Sequence, residues 1–380
     1  MKKVLLFVFL FLSCSLIVNA EDLSPNSKSS ILMNFETGTV VFEKNSNERL
    51  APASMTKMMT LLLIMEHIDN GTIKYEDDVV ISSNAANMGG SQIFIEANSS
   101  MKVEELIKGI AIASGNDAAV AMAEKIGGST ENFVNMMNNK CKDLGCTNTN
   151  FMNVHGLDAE NHYSSAHDMA LIARELLTHQ DVLRFTSTYE EYLTKPDGSK
   201  TWLVNTNKLV RFMQGVDGLK TGFTTNAGYC LTATGKRNNI RFISVVMGVE
   251  TSSKRSEDTT NLLTYGFNNY KINKVISDDI DLGTIKIEKG KQDIANLAIK
   301  DNINELVSIN DPVKEFSYNI VVDKKIKAPI KSGDKVGTLE IINNGNIEYT
   351  VDLTIKEDIE KSSLIDIFID IIKVILCSKS

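Results

Sequence analysis

Apolar and polar positions along the chain sort into three regimes. Near the start, Ser30 to Phe35 and Val40 to Glu43 read as two strands joined by Glu36-Thr37-Gly38-Thr39, which predicts a hairpin. Helical spacing then takes over. Met58, Met59, Leu62, Leu63 and Met65 follow Pro52 and Ser54 at that spacing until Asn70-Gly71 stops them. Further helices are predicted over Val103 to Ala113, Asp117 to Ile126, and from a Ser129 cap to about Lys142 with Phe133, Met136 and Met137 inward. Another follows Tyr163-Ser164-Ser165, from Ala166 to Leu177. Strand patterns return at Gly218 to Phe223, Tyr229 to Thr234 and Arg241 to Gly248, an antiparallel meander, before a helix from Glu257 to Tyr270. Strands flanking a helix-rich middle predict an α+β core with helices against an antiparallel sheet. From Val275 to about Glu357, short alternating stretches such as 282–287 and 349–353 are separated by Gly, Asn and Asp turns and predict a small all-β sandwich.

The two ends carry patterns of their own. Lys2 and Lys3, the apolar run Val4 to Leu12 and the small residues Val18-Asn19-Ala20 make 1–20 an expected export signal cleaved before Glu21. From Ser363 to Leu376 the chain is apolar except for Asp366, Asp370 and Lys373, which form one polar stripe at helical spacing. That segment is too short and too charged to span a bilayer and suits a helix lying in the membrane surface. The expected division is therefore a signal peptide (1–20), an α+β domain (21–274), a β-domain (275–360) and an amphipathic anchor (361–380).

Composition narrows the function classes. The chain has 380 residues, 43% of them hydrophobic, enough for one large core and one smaller one. Its net charge is −8, and losing Lys2 and Lys3 makes it more acidic, which disfavours a nucleic-acid partner. Cys141, Cys146, Cys230 and Cys377 do not form a dense disulfide framework and read as free thiols, although Cys141 and Cys146 are close enough to pair. No His stands at ligand spacing beside these cysteines, and in the cluster His155, His162 and His167 the first, in His155-Gly156-Leu157, reads as structural, so no metal and no cofactor is expected.

Three short motifs carry the chemistry. In Ser54-Met55-Thr56-Lys57, serine and lysine stand one helical turn apart at a helix start, where the amine reaches the hydroxyl. Such a lysine acts as base only when neutral, which burial and a neighbouring cation both favour; Lys220 is the candidate cation. Ser114-Gly115-Asn116 falls between two helices, where the glycine is expected to allow a sharp bend; Ser114 would relay a proton and Asn116 hold a substrate amide. Lys220-Thr221-Gly222 lies on a strand whose glycine lets a peptide pair with the sheet edge. Lys220 and Thr221 would bind a carboxylate there, and the N–H groups of Ser54 and Phe223 would form an oxyanion hole. Ser99-x-x-Lys102, Ser332-x-x-Lys335, Ser82-x-Asn84 and Ser308-x-Asn310 match the same patterns, so placement rather than pattern selects the set.

With its flanks, the set resembles the penicillin-recognising serine enzymes, and within them the low-molecular-mass penicillin-binding proteins of the D-Ala-D-Ala carboxypeptidase type. The likeness is carried by residues 51–60, Ala113-Ser114-Gly115-Asn116-Asp117-Ala118, Val154-His155-Gly156-Leu157, 163–170 and 220–229, and spans about 30 to 270. It implies a β-lactamase/transpeptidase-like domain, a β-domain and a membrane-surface helix. It also implies an exported, extracytoplasmic, peripherally attached enzyme that removes the terminal D-alanine of peptidoglycan pentapeptide stems through an acyl-enzyme, and that β-lactams acylate. Arg255 matches the arginine that helps hold the substrate carboxylate, and His167 stands where the family often has arginine. Two alternatives remain. A class A β-lactamase would need a glutamate for deacylation, and Glu131 with Asn135 follows Asn116 too closely. A wall-bound scaffold without activity would not need Ser54, Lys57, Ser114, Asn116 and Lys220 together.

Overall fold

The computed structural model describes residues 22–366 and 368, apart from 196, 278, 301, 313 and 324. The expected export signal and most of the expected anchor lie outside the described residues.

The chain enters through β1 (Ser29–Asn34) and β2 (Val40–Lys44), paired antiparallel, and then dives into α1 (Lys57–Asp69). Nine successive residues from Lys57 to Met65 are buried, so α1 is apolar on every side and becomes the axis of the helical lobe. Around it lie β3 (Asp78–Val80), α2 (Ser83–Ala86), β4 (Ser100–Lys102), α3 (Val103–Ala111), α4 (Asn116–Gly127), α5 (Thr130–Asp143) and α6 (Ala166–Leu176). The expected Ser129 cap forms, its Oγ accepting from Asn132 N–H, and the structure adds a second at Ser165, whose Oγ accepts from Asp168 N–H. Met136 is only partly buried, whereas Phe133 and Met137 are in the core.

After α7 (Leu183–Thr186) a hairpin of β5 (Glu190–Thr194) and β6 (Lys200–Val204) leads through α8 (Leu209–Phe212) into the meander β7 (Val216–Thr224), β8 (Gly228–Arg237) and β9 (Ile240–Val249), then α9 (Ser252–Asn269). The main sheet runs β2-β1-β9-β8-β7, with β7 on its edge. Both of its faces are covered. Ile31, Met33, Ile243, Val245 and Met247 point into the helical lobe, while Leu32, Phe242 and Val246 pack against Leu262, Leu263 and Phe267 of α9. Period-two alternation therefore separates two cores rather than core from solvent, which is why these strands read as nearly continuous apolar runs. Arg241 on β9 reaches across β8 and holds Asp217 on β7 through two bonds of 2.7 Å, fixing the edge strand.

α9 runs directly into β10 (Tyr270–Ile276), which pairs with β13 (Ile303–Ser308). Beyond it, β11 (Thr284–Lys286), β12 (Ile294–Ile299), β14 (Ser317–Val322), β15 (Lys335–Asn343) and β16 (Asn346–Ile355) form a second sheet in the order β11-β12-β16-β15-β14. Val275, Leu297, Val336, Leu339, Ile341 and Leu353 make its separate core. The α+β domain followed by an all-β domain is the fold class expected from the pattern. Among the described residues no helix is long and apolar enough to cross a membrane.

Candidate active site

Ser54 does not sit on the α-helix itself, as the spacing predicts, but on a 3-10 turn, Ala53–Thr56, that precedes it; Lys57 is the first residue of α1. The tighter winding brings positions i and i+3 into line, and Lys57 Nζ lies 3.0 Å from Ser54 Oγ. The turn is entered through Ala53 at φ +46°, a left-handed conformation that costs a non-glycine residue about 1 kcal/mol or more. The strain is sustained by the loop beneath it. Lys57 Nζ donates to His155 O (2.8 Å), Thr60 Oγ1 to Val154 O (2.7 Å), and Gly156 approaches so closely that a Cβ there would lie 1.9 Å from Ala53 O.

This bracing was not legible in the motifs, although Gly156 in Val-His-Gly-Leu is its trace. His162 Nδ1 accepts from Met152 N–H (3.0 Å), so its Nε2 carries the proton and donates to Thr56 Oγ1 (2.9 Å). Burial holds both His155 and His162 down to about 4, helped at His155 by the nearby Lys57. Both rings are neutral struts. Among the described residues no group of three or more His, Cys, Asp or Glu is placed to hold a metal. Cys141, Cys146 and Cys230 are free thiols.

Lys57 is wholly buried, and among the described residues no carboxylate is hydrogen-bonded to it. Its pKa is held well below the usual lysine range, first by burial and then by the Lys220 charge, with Asp117 opposing. Lys220, also buried, is pulled down to about 7 by burial and by the charge of Arg255. The two lysines of the first and third motifs thus share one electrostatic environment.

The bend at the second motif arises at Ser114, not at the glycine as its sequence suggests. Ser114 adopts φ +64°, while Gly115 is an ordinary N-cap at φ −56°. Gly115 is required for space instead, since a Cβ would lie 2.9 Å from Asp117 Oδ1. Asn116 is buried; its Nδ2 donates to Gly89 O (2.7 Å), and Oδ1 has no partner among the described residues. A buried amide oxygen without a donor is costly, and this one is suited to accept an N–H from a bound peptide.

On β7, Gly222 packs against the nucleophile turn: a Cβ there would lie 3.2 Å from Ser54 N and 2.7 Å from Pro52 O. Lys220 Nζ donates to Thr221 O, and Thr221 Oγ1 to Thr206 Oγ1 (2.7 Å). Arg255, in the first turn of α9, is 7% exposed with an unpartnered Nε. Ser54, Ser114, Thr221, Gly222, Phe223 and Arg255 line one cleft of about 640 Å³, together with Ser91, Thr206, Lys208 and Tyr229. Thr206 and Lys208 had no sequence signal beyond a polar stretch before the β7 strand. No carboxylate lines this cleft among the described residues. Glu131 and Asn135 border a different cavity.

The competing motifs are elsewhere. Lys102 pairs with Asp78 at 2.9 Å, Lys335 with Asp352, and Ser82 caps the short α2. Ser308 lies on β13 in the second domain.

A family model described as D-alanyl-D-alanine carboxypeptidase matches residues 17–251, and one described as penicillin-binding protein 5, C-terminal domain, matches 270–361. The D-alanyl-D-alanine carboxypeptidase DacF of Bacillus subtilis is 47% identical over 344 residues, 90% of this chain and 88% of that one. The crystal structure of penicillin-binding protein 5 from Haemophilus influenzae superposes with a TM-score of 0.71 at 31% identity, covering 88% of this chain and 98% of its own. Penicillin-binding protein D2 from Listeria monocytogenes, solved in its ampicillin-bound form, superposes at 0.58 with 31% identity over 64% of this chain and 98% of that one. A cleft-lining serine backed by a buried lysine, on a fold matched along most of its length, is thus joined to a known lineage: the chain belongs to the family of D-alanyl-D-alanine carboxypeptidases, which are serine hydrolases.

Proposed function

We infer that Ser54 is the nucleophile that removes the terminal D-alanine from peptidoglycan pentapeptide stems. The observation that carries this reading is the wholly buried Lys57 amine, without a carboxylate partner among the described residues, 3.0 Å from Ser54 Oγ. Neutral Lys57 takes the Ser54 proton as Oγ attacks the penultimate carbonyl. The developing oxyanion is held by the N–H groups of Ser54 and Phe223. Ser114 relays that proton from Lys57 to the departing amine, D-alanine leaves, and Lys57, neutral again, takes a proton from the attacking water and returns it to Ser54 Oγ as the shortened stem is released. Asn116 Oδ1 accepts the substrate amide, while Lys220, Thr221 and Arg255 hold the terminal carboxylate; Gly222 lets the nucleophile turn sit against the sheet edge.

A β-lactam presents a carboxylate and a reactive carbonyl to the same groups, so it acylates Ser54. The absence of a carboxylate among the described cleft residues supports slow release of that adduct and disfavours the β-lactamase alternative. The direct test is D-alanine release from a peptide ending in D-Ala-D-Ala, alongside penicillin turnover. Stoichiometric D-alanine with retained penicillin is expected; no D-alanine, or fast penicillin turnover, overturns the reading.

The same reading places the enzyme outside the cytoplasm, with 1–20 as its export signal, 21–274 as the catalytic domain, 275–360 as the β-domain, and 361–380 as an anchor in the membrane surface. Leu364 and Ile365, both exposed at the end of the described chain, support the last of these. Deleting 362–380 is expected to move the enzyme from the membrane to the soluble fraction with unchanged D-alanine release. Retention on membranes would remove the tail as anchor.

A further inference from the structure

Hairpin β5–β6 presents an aromatic pair to solvent. Tyr192 and Trp202 are direct cross-strand partners, and they are 61% and 58% exposed. Trp202 is the chain's single tryptophan. Their neighbours in sequence, Leu193 and Leu203, point the other way and are buried in the main core. Side chains paired across an antiparallel ladder sit about 5 Å apart, so the two rings form one patch. The hairpin holding them is anchored, not loose: Lys108 of α3 bonds Glu191 at 2.9 Å, and Glu105 accepts from Thr194 N–H at 3.1 Å. Large exposed aromatics on a fixed element are a common signature of a binding surface.

The chain leads from the patch directly to the cleft. Two residues past β6, the Thr206 hydroxyl accepts from Thr221 Oγ1 at 2.7 Å, and Thr206 lines the cleft. From Trp202 to Thr206 the extended chain covers at most about 14 Å. A stem that has lost its terminal D-alanine retains four residues between the attacked carbonyl and the sugar that bears it, an extended reach of about the same 14 Å. The surroundings of the pair are polar, with Glu190, Thr194 and Lys200 exposed on the same face. Flat apolar rings rimmed by hydrogen-bonding groups fit a pyranose, which offers a C–H face and an edge of hydroxyls and amides. A bilayer would instead favour a wider apolar face with basic flanks.

We propose that the Tyr192–Trp202 pair is a docking platform for the amino-sugar strand that carries the stem peptide. This rests on the carboxypeptidase reading and extends it from the peptide to the polymer. The platform adds affinity for glycan-linked stems and contributes nothing to a free peptide, which ends before reaching it.

Two measurements test it. The Tyr192→Ala/Trp202→Ala double variant should raise KM on glycan-linked pentapeptide strands by about ten-fold, with kcat held and with KM for a free D-Ala-D-Ala peptide moved less than about two-fold. Trp202→Phe should restore most of the loss. Equal losses on both substrates, or none on either, overturn the platform, whereas D-alanine release from the free peptide tests the carboxypeptidase reading separately. In the unaltered full chain, Trp202 emission should change saturably with β-1,4-linked N-acetylglucosamine oligomers. No change with the oligomers, or a change only with vesicles of anionic phospholipid or with self-association, also overturns it.

Discussion

Replacing Ser54 with Ala should abolish covalent labelling by a fluorescent penicillin, and Lys57→Met should slow it by about 10³-fold or more. The second variant is the more informative. Lys57 Nζ is 3.0 Å from Ser54 Oγ, and no carboxylate lines the cleft among the described residues to replace it. Lys57→Arg should be no better, because a guanidinium stays protonated and cannot accept the serine proton. Stability separates chemistry from collapse. Lys57→Met removes the donor to His155 O, a cost of about 1 kcal/mol, but also removes a buried amine whose desolvation opposes folding. The melting temperature should therefore move by only a few degrees while acylation is lost. Labelling of Lys57→Met within ten-fold of the unaltered chain would sink lysine as the base.

Much of this site was legible because its chemistry is local in sequence. A serine and a lysine three apart are brought together by any helical turn, and apolar spacing after Lys57 marked the buried helix. The strand pattern around Lys220 similarly marked a meander with this strand at the sheet edge, though not the Arg241–Asp217 pair that holds that edge from across β8. What was hidden depends on contacts distant in sequence. The acceptors for Lys57 and Thr60 lie roughly a hundred residues away at His155 and Val154, and no period links them. Backbone conformation was equally silent. The glycine in Ser114-Gly115-Asn116 draws attention as the flexible residue, yet Ser114 takes the left-handed φ and Gly115 supplies space beside Asp117. The turn type at Ser54 was missed for a related reason: one 3-10 turn and one α turn share the same four-residue signature.

Lys220→Gln should both weaken substrate capture and displace the pH profile, and the second effect identifies the coupling between the lysines. A buried glutamine can still donate a hydrogen bond but offers a substrate carboxylate no charge, so kcat/KM should fall by about 10²-fold. In the unaltered chain Lys57 must be neutral, so activity rises as pH climbs through its depressed pKa. Lys220 must be charged to hold the carboxylate, and in the free protein its pKa is pulled to about 7, so kcat/KM falls as pH climbs past that value. The profile should therefore be a bell. Removing Lys220 removes the second-largest cause of the Lys57 depression, after burial, so the Lys57 pKa rises. The ascending limb of Lys220→Gln should accordingly shift to higher pH, and the descending limb near neutrality should disappear. The check is kcat/KM for D-alanine release between about pH 5 and 10. An ascending limb that stays in place, or moves to lower pH, would mean that Lys220 does not help keep Lys57 neutral and acts on the carboxylate alone.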